Sequence, residues 1–346
     1  MKIVVVKLGS SVIAPQGFLS PSIIAQLVRD FLAAESKGYK VVIVSSGAIA
    51  CGLNKLGYKR RPQDMHSLMA LSSLGQIMLM DIYAQKFKKH KKLCAQILLT
   101  WDDFDNRKRF LNAKYTINKL LNMGVVPIIN ENDAVSCDEI RFGENDRLAA
   151  LVADLISAQE LVLLSNVEGL IEGDKVIRQV QQIDSKIFQL AKKGGNAFTA
   201  GGMVSKLEAA KIATSAGIKT AIANGKSKGV LLKLLEGEAA GTVFLPLGGA
   251  APARKRWIAF GKKVRGKVYI DDGAKEAILN KGKSLLSVGI IKVEGEFKKK
   301  DAVEVLDKDG RVCGCGIINY SCEELADLGG KKFTKEVVHR DNFVRR

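Results

Sequence analysis

Imidazole and paired thiols are what this sequence has least of. Its three histidines, His66, His90 and His339, are not spaced to share a metal with one another or with the cysteines. The six cysteines (Cys51, Cys94, Cys137, Cys313, Cys315 and Cys322) contain no C-x-x-C pair, and most sit in apolar or strand-like context, so free buried thiols in a reducing compartment are expected. Cys313-Gly-Cys315 on one strand places two thiols on one face, but a metal there would need two further ligands. Aromatic residues make up 6% of the chain, which points to an aliphatic core. Internal repeats and low-complexity tracts are absent. So is the G-K-[ST] tripeptide of a P-loop. The first apolar run is broken by Lys7 and has no secretory pattern, and no apolar stretch is read as long enough to span a bilayer. A cytoplasmic protein with no membrane role is expected.

What is present is length, aliphatic strands and positive charge. A chain of 346 residues favours two domains, and 47% hydrophobic residues suffice for a large core. The formal net charge is +18, from 54 basic and 36 acidic residues, which favours anionic ligands or nucleic acid, although scattered lysines give the same total. Strand and helix signals alternate through the first two thirds. Strands are expected over 3–8, 41–44, 95–99, 125–129, 160–164 and 220–223. Helices are expected over 22–37, 64–89, 112–123, 144–157, 202–216 and 228–235. This pattern predicts an α/β fold, an open, mainly parallel sheet sandwiched by helices, over residues 1–245. Residues 246–264, with Gly248-Gly249 and Arg254-Lys255-Arg256, read as a linker. Beyond it, short strands at 266–270, 288–293, 302–306 and 311–318, with a hairpin turn at Asp307-Lys308-Asp309-Gly310, predict a small, mainly β domain over 265–346. From Pro246 onward there are about 22 basic and 14 acidic residues, so the charge is denser here.

Polar residues collect where the strands end. Lys7 closes a strand of four β-branched residues, a place where a charge is not expected, and Gly9, Ser10 and Ser11 follow it. Ser46 and Gly47 follow the second strand, Asn130, Asn132 and Asp133 the fourth, and Ser165 and Asn166 the fifth. Ala200-Gly201-Gly202-Met203-Val204-Ser205-Lys206 reads as a glycine-rich turn opening a helix, with N–H groups and the helix dipole aimed at an anion. Each piece alone is equally an ordinary turn, and Asp146 alone is equally a helix cap. Two lysines on separate glycine-flanked turns, with carboxylates at neighbouring strand ends, together suggest a site for a polyphosphate and a second anion.

With these motifs in hand, the chain resembles the glutamate 5-kinases, an amino-acid kinase fold followed by a PUA domain. The matching segments are Val-Val-Lys7-Leu-Gly9-Ser, Val-Ser-Ser46-Gly-Ala-Ile-Ala, Arg109-Phe-Leu-Asn-Ala, Ile-Asn130-Glu-Asn-Asp133-Ala-Val, Gly143-Glu-Asn145-Asp146 and Gly201-Gly-Met-Val-Ser-Lys206. They are followed by Gly282-Lys-Ser-Leu-Leu and Gly295-Glu-Phe in the second domain. The resemblance implies ATP- and Mg²⁺-dependent phosphorylation of the side-chain carboxylate of L-glutamate, at the head of proline synthesis, with proline as inhibitor and a dimer or tetramer as the assembly. It implies that Lys7 and Lys206 stabilise the transferring phosphoryl and that Asp146 holds them. Ser46, Asp133 and Asn145 would bind glutamate. Lys7, Gly9, Ser165, Asn166 and residues Ala200, Gly201, Gly202, Met203, Val204, Ser205 and Lys206 would bind the nucleotide. The chain departs from the family on the nucleotide side. Ser165-Asn166 stands in place of Thr-Asp, the stretch 169–182 is short and lacks Asp-Pro, and Ala200 and Ser205 stand for threonine-type residues. Two other readings are an N-acetylglutamate or aspartate kinase, and an RNA-binding protein acting through the basic second domain. A tight, sequence-specific RNA contact is not expected.

Overall fold

The computed structural model describes residues 2–136, 145–193, 197–246, 248–326 and 335–345. Cys137 and the Gly143-Glu144 part of the motif before Asn145 lie outside them. The chain divides into two compact units, one of residues 1–103 and 107–250, the other of residues 104–106 and 251–346.

The first unit is built on a run of parallel strands: β1 (Lys2–Leu8), β2 (Tyr39–Ser45), β3 (Cys94–Leu99), β4 (Val126–Glu131) and β5 (Glu160–Ser165). After a short hairpin, β6 (Ile171–Glu172) and β7 (Lys175–Val176), come β8 (Gln179–Val180), β9 (Lys219–Asn224) and β10 (Thr242–Phe244). The sheet order is β3-β4-β2-β1-β5-β9-β10-β8, with β10 antiparallel to β9 and the six strands from β3 to β9 mutually parallel. Val4, Val5 and Val6 of β1 are fully buried, as a β-branched strand covered on both faces requires. The chain leaves β1 toward β2 on one side and β5 lies on the other, so the carboxyl end of β1 is where an open α/β sheet leaves its ligand crevice.

The helices that cover this sheet are α1 (Ser10–Ile13), α2 (Pro21–Ser36), α3 (Ala48–Lys55), α4 (Met65–Lys88), α5 (Trp101–Asp105, whose last two residues fall in the second unit), α6 (Arg107–Asn122), α7 (Asp146–Leu155), α8 (Ser185–Lys193), α9 (Ala197–Ser215) and α10 (Val230–Leu235). In α2, the Ser20 side chain accepts from Ile23 N and Pro21 occupies the first turn, while Ile24, Leu27, Val28, Phe31 and Ala34 form one buried stripe. Asp64 caps α4 by accepting from Ser67 N at 2.8 Å. Helices α3 and α4 meet without side chains between them: a Cβ on Gly75 would lie 1.8 Å from Ala48 O, and one on Gly52 would lie 2.0 Å from Leu71 O. Contrary to the sequence reading, α4 has the length and mean hydropathy, 1.2, of a weak membrane-spanning segment. Leu68, Leu71, Leu79, Tyr83 and Phe87 nevertheless bury one face of it in this unit.

The second unit carries a five-stranded sheet, ordered β12-β11-β13-β14-β15, from β11 (Val264–Ile270), β12 (Ile290–Gly295), β13 (Ala302–Asp307), β14 (Val312–Ile318) and β15 (Val338–Arg345). Two helices, α12 (Asp272–Leu279) and α13 (Cys322–Ala326), lie in the same unit. The stretch read as a linker holds helical turns, α11 (Ala253–Arg256) running into a π-helical turn at Trp257–Gly261. They are fastened inside the unit: Trp257 Nε1 donates to Phe104 O at 2.7 Å, and Lys262 Nζ lies 2.9 Å from Asp105 Oδ1. Cys313 and Cys315 do not share a face. The register shifts between Val305 and Leu306, so Cys313 is an extra residue opposite that step. It packs with Val268 and Val303, and Cys315 packs with Ile258 and Ala302.

Candidate active site

The carboxyl ends of β1, β2, β4 and β5 bring together residues that the sequence holds more than a hundred positions apart. Lys7, at the end of β1, is 3% exposed, and its Nζ lies 2.6 Å from Asp146 Oδ1. Asp146 is the first residue of α7 and has no exposed surface. Its other oxygen accepts from Lys206 Nζ at 3.1 Å and from Ser205 Oγ at 2.9 Å, both on α9. A single buried carboxylate therefore holds two ammonium groups that arrive from different elements. An acid at a helix start also sits favourably against the positive end of the helix dipole.

The glycine pair before Lys206 is not the turn expected. Helix α9 begins at Ala197, so Ala200, Gly201, Gly202, Met203, Val204 and Ser205 all lie within it. Two glycines in a helix cost about 1 kcal/mol each relative to alanine. The Gly202 carbonyl also accepts from Lys206 Nζ at 3.0 Å and from Ser205 Oγ at 3.2 Å. Gly9 also differs from expectation. Its N–H donates to Leu164 O at 3.0 Å and is spent inside the sheet end, leaving the first amides of α1, those of Ser10 and Ser11, without an intrahelical acceptor. A Cβ on Gly9 would stand 3.3 Å from Leu164 O, a tight contact, and 3.8 Å from Lys7 Nζ, an ordinary one.

Asn145, the residue before Asp146, faces the other way. Its Nδ2 donates to Ser45 O at 3.0 Å, Asn130 Oδ1 at 2.8 Å and Ser46 Oγ at 3.2 Å. Asn130 in turn gives its amide to Gln76 Oε1 of α4 at 2.8 Å. Also from α4, Ser72 Oγ donates to the Asp133 carboxylate. Burial pushes the Asp133 carboxyl above the usual range, while the Ser72 hydrogen bond and the charge of Arg61 pull it back. Ser46, Asn130, Asp133 and Asn145 line one cavity of about 770 Å³, together with α3 and the segment 57–61. Gln76, Ser72 and Arg61 were not singled out in the sequence. For Ser72 and Gln76 the signal is the run at 71–75 with its small residues Ser72, Ser73 and Gly75, which marks where α4 comes close to its neighbour; Arg61 lies before α4 and has no such signal.

Of the residues expected to bind the nucleotide, Ser165 and Asn166 fall at a neighbouring strand end. Ser165 closes β5, its hydroxyl 3.3 Å from Asn166 Oδ1, and its carbonyl accepts from Gly225 N just past β9 at 2.8 Å. They do not line the cavity that Ser46, Asp133 and Asn145 share. Arg109 stands apart as well, on α6, with Nε 2.7 Å from Asp103 Oδ1. Arg147, next to Asp146, lies with its guanidinium 4.1 Å from the Trp101 ring centroid.

A buried carboxylate gripping two lysines at the switch point of an open parallel sheet, beside a cavity with its own acid, is the layout of a small-molecule phosphotransferase. The model of the amino acid kinase family matches residues 2–224, and that of the PUA domain matches residues 266–339. A glutamate 5-kinase of Syntrophotalea carbinolica is 44% identical, covering 99% of this chain and 97% of its own. One of Caldanaerobacter subterraneus subsp. tengcongensis is 42% identical with the same coverage. A solved carbamate kinase of Giardia shares the fold, with a TM-score of 0.52 at 19% identity, covering 71% of this chain and 99% of that one. The chain belongs to the glutamate 5-kinase branch of the amino acid kinase family.

Proposed function

We propose that this protein uses ATP to phosphorylate the side-chain carboxylate of L-glutamate, forming L-glutamyl 5-phosphate at the start of proline synthesis. The observation that carries the reading is the convergence of Lys7 and Lys206 on Asp146 beside the Asp133 cavity. Relatives bearing the name of this reaction, alike over nearly their whole length, support it.

The chemistry suits a site without histidine. A glutamate side chain has a reference pKa of about 4.3 and is ionised at neutral pH, so the nucleophile needs no general base. One carboxylate oxygen forms a bond to the γ-phosphorus of ATP. The bond from that phosphorus to the bridging oxygen breaks, its electron pair leaves with ADP, and no proton moves. The barrier is the approach of an anion to a polyanion. Lys7 and Lys206 supply positive charge where the transferring group gathers negative charge. Asp146 fixes both ammonium groups, and Ser205 fixes Asp146. Asp133 pairs with the α-ammonium of glutamate, with Ser46 and the Asn145 carbonyl alongside. Gly9 to Ser11, Ser165, Asn166 and residues 200–206 form the nucleotide side. No group of three or more His, Cys, Asp or Glu is gathered for a metal among the described residues; on this reading Mg²⁺ would come with the nucleotide phosphates. Bound there, Mg²⁺ would neutralise phosphate charge.

Proline has the same α-carboxylate and a secondary ammonium but nothing to phosphorylate, so it competes at the Asp133 end. The enzyme works in the cytoplasm as a homo-oligomer, and the second unit does not bind RNA tightly. An N-acetylated substrate would leave Asp133 without a charge to pair, which disfavours the acylated alternative.

The test is ADP release with L-glutamate, N-acetylglutamate and aspartate at fixed Mg-ATP, with hydroxylamine trapping the acyl phosphate. L-Glutamate should be clearly preferred and should give the γ-hydroxamate. Lys7→Ala and Lys206→Ala should each lower kcat by on the order of 10²-fold, the scale of a lost transition-state donor. Preference for another acid would reject the reading, and a change confined to KM would show that the lysine only helps binding.

A further inference from the structure

An amino acid brings an α-carboxylate as well as an ammonium, and the side-chain amides of the cavity are already engaged, Asn54 on Gly17 O included. Asn145 has two amide hydrogens and already has three acceptors, Ser45 O, Ser46 Oγ and Asn130 Oδ1. Asn130 gives an amide hydrogen to Gln76. The hydroxyls that line the cavity, those of Ser10, Ser11, Ser46 and Tyr58, are neutral and bring no charge to match a carboxylate. The cations that line this cavity are Lys59, Arg60 and Arg61, on the segment between α3 and α4. Of the three, Arg61 is the one whose charge acts on Asp133. It precedes Pro62, which disfavours helical backbone at residue 61, and the segment there has no regular secondary structure between the end of α3 and the Asp64 cap of α4.

We propose that Arg61 is the specificity residue that binds the α-carboxylate of the amino acid, forming with Asp133 a pair that reads both charges of a zwitterion. In a free α-amino acid the ammonium and the carboxylate sit on one carbon. A carboxylate and a guanidinium that feel each other across the cavity therefore match that head group and no other part of the substrate. A planar guanidinium can hold a carboxylate through two parallel hydrogen bonds, which a lysine cannot. The side-chain carboxylate is then left to the Lys7–Lys206 end. This assignment rests on the reading of the site as one for glutamate.

The test uses a substrate pair that differs by the group in question: L-glutamate and 4-aminobutyrate, which is glutamate without its α-carboxylate. ADP release is measured for both with the full chain and with Arg61→Ala, Arg61→Lys and, as comparators, Lys59→Ala and Arg60→Ala. The wild type should favour glutamate strongly in kcat/KM. Arg61→Ala should lower that preference by about ten- to a hundredfold, the scale of a charge-assisted hydrogen bond, through the glutamate KM and not through kcat. Arg61→Lys should recover part of it, and the two comparators should change it by less than about threefold. A misfolded variant would lose both substrates together, whereas loss of recognition affects glutamate alone. If Arg61→Ala keeps the wild-type preference while glutamate is turned over, the assignment of Arg61 fails and the reading of the site stands. If the wild type neither binds nor phosphorylates glutamate, both fail.

Discussion

Single residues here act through their partners, and Asp133 shows it best. Burial raises its pKa, so the folded protein takes up a proton at this carboxyl more readily than the unfolded chain does. The sign follows: ionising Asp133 costs stability as pH rises from the ordinary carboxylate range through its raised value, and a bound ammonium relieves that cost. Glutamate binding should therefore weaken on acidification earlier than an ordinary aspartate would allow. Ser72, buried on α4, opposes the shift by donating to the carboxylate. Ser72→Ala removes that donor, so the acid limb of kcat/KM for glutamate should move to higher pH, with KM raised and kcat at the plateau unchanged. Comparing the two pH profiles cancels the titration of glutamate itself. Superimposable acid limbs would mean that Ser72 does not govern this carboxyl. The residues of this site differ in how far the sequence shows them. Lys7 is legible because a charge ends a buried strand, Asp133 because acids and amides gather after strands, and Asn145 only through the family resemblance. Ser72 and Gln76 look like ordinary helix residues, and only the fold brings them under the strand ends.

At the level of elements, the site depends on how closely α3 and α4 approach. Ser46 leads into α3, Ser72 and Gln76 ride on α4, and the two helices touch through Gly52 and Gly75. A methyl group on Gly75 would fall 1.8 Å from Ala48 O and 2.5 Å from Gly52 N, backbone atoms that cannot turn aside. Gly75→Ala should force the helices apart, at the upper end of the roughly 1–3 kcal/mol that overpacking costs. For a unit of this size that corresponds to a Tm lower by about 5–10 °C. Glutamate KM should rise with it, because Ser72 and Gln76 move with α4. Ser73→Ala, one position from Ser72 but facing solvent and bonded only to Met69 O, should change neither. Equal Tm values for Gly75→Ala and the wild type would show that the helices absorb the methyl group. Sequence periodicity identifies α4, α2 and the parallel strands well, since their apolar spacing is long and regular. It passes over α3, whose eight residues follow a strand without a side-chain cap, and places the start of α9 late, because glycine suggests a turn. In the second unit it misses β15, and it misplaces the faces of Cys313 and Cys315, since a bulge leaves no mark in the spacing.

For the molecule as a whole, the question is whether the first unit stands alone. All the residues proposed for chemistry lie between Lys7 and Lys206, and the hydrophobic cluster around β1 draws only on the first unit. The choice of cut is decided by β10. Thr242 Oγ1 accepts from the buried Leu170 N at 2.8 Å, Val243 N donates to Arg178 O at 2.9 Å, and Leu245 N donates to Val180 O at 3.0 Å. A chain ending at Leu245 keeps all three bonds and the β9–β10–β8 edge of the sheet. A chain ending at Ala240 loses them and leaves Leu170 N buried without its acceptor, a cost of about 1–3 kcal/mol for that group alone. The cut at Leu245 also removes Trp257 and Lys262, which hold Phe104 and Asp105 in the second unit, so the end of α5 should fray. None of the lysines is on α5. The fragment 1–245 should therefore purify as a folded protein, with a cooperative thermal transition that Mg-ATP and glutamate raise, and with kcat within about tenfold of the full chain. That bound reflects a frayed helix next to an intact site: Arg147 meets Trp101 at the retained start of α5, and a loosened neighbour of Asp146 disturbs positioning without removing a charge. The fragment 1–240 should melt lower by several degrees or fail to accumulate. If 1–245 is insoluble or inactive while 1–346 is active, the second unit is needed for the first to fold or work. Regular helix content by circular dichroism would separate those two outcomes, since a folded but inactive fragment would place the requirement at the site and an unfolded one would place it in the core.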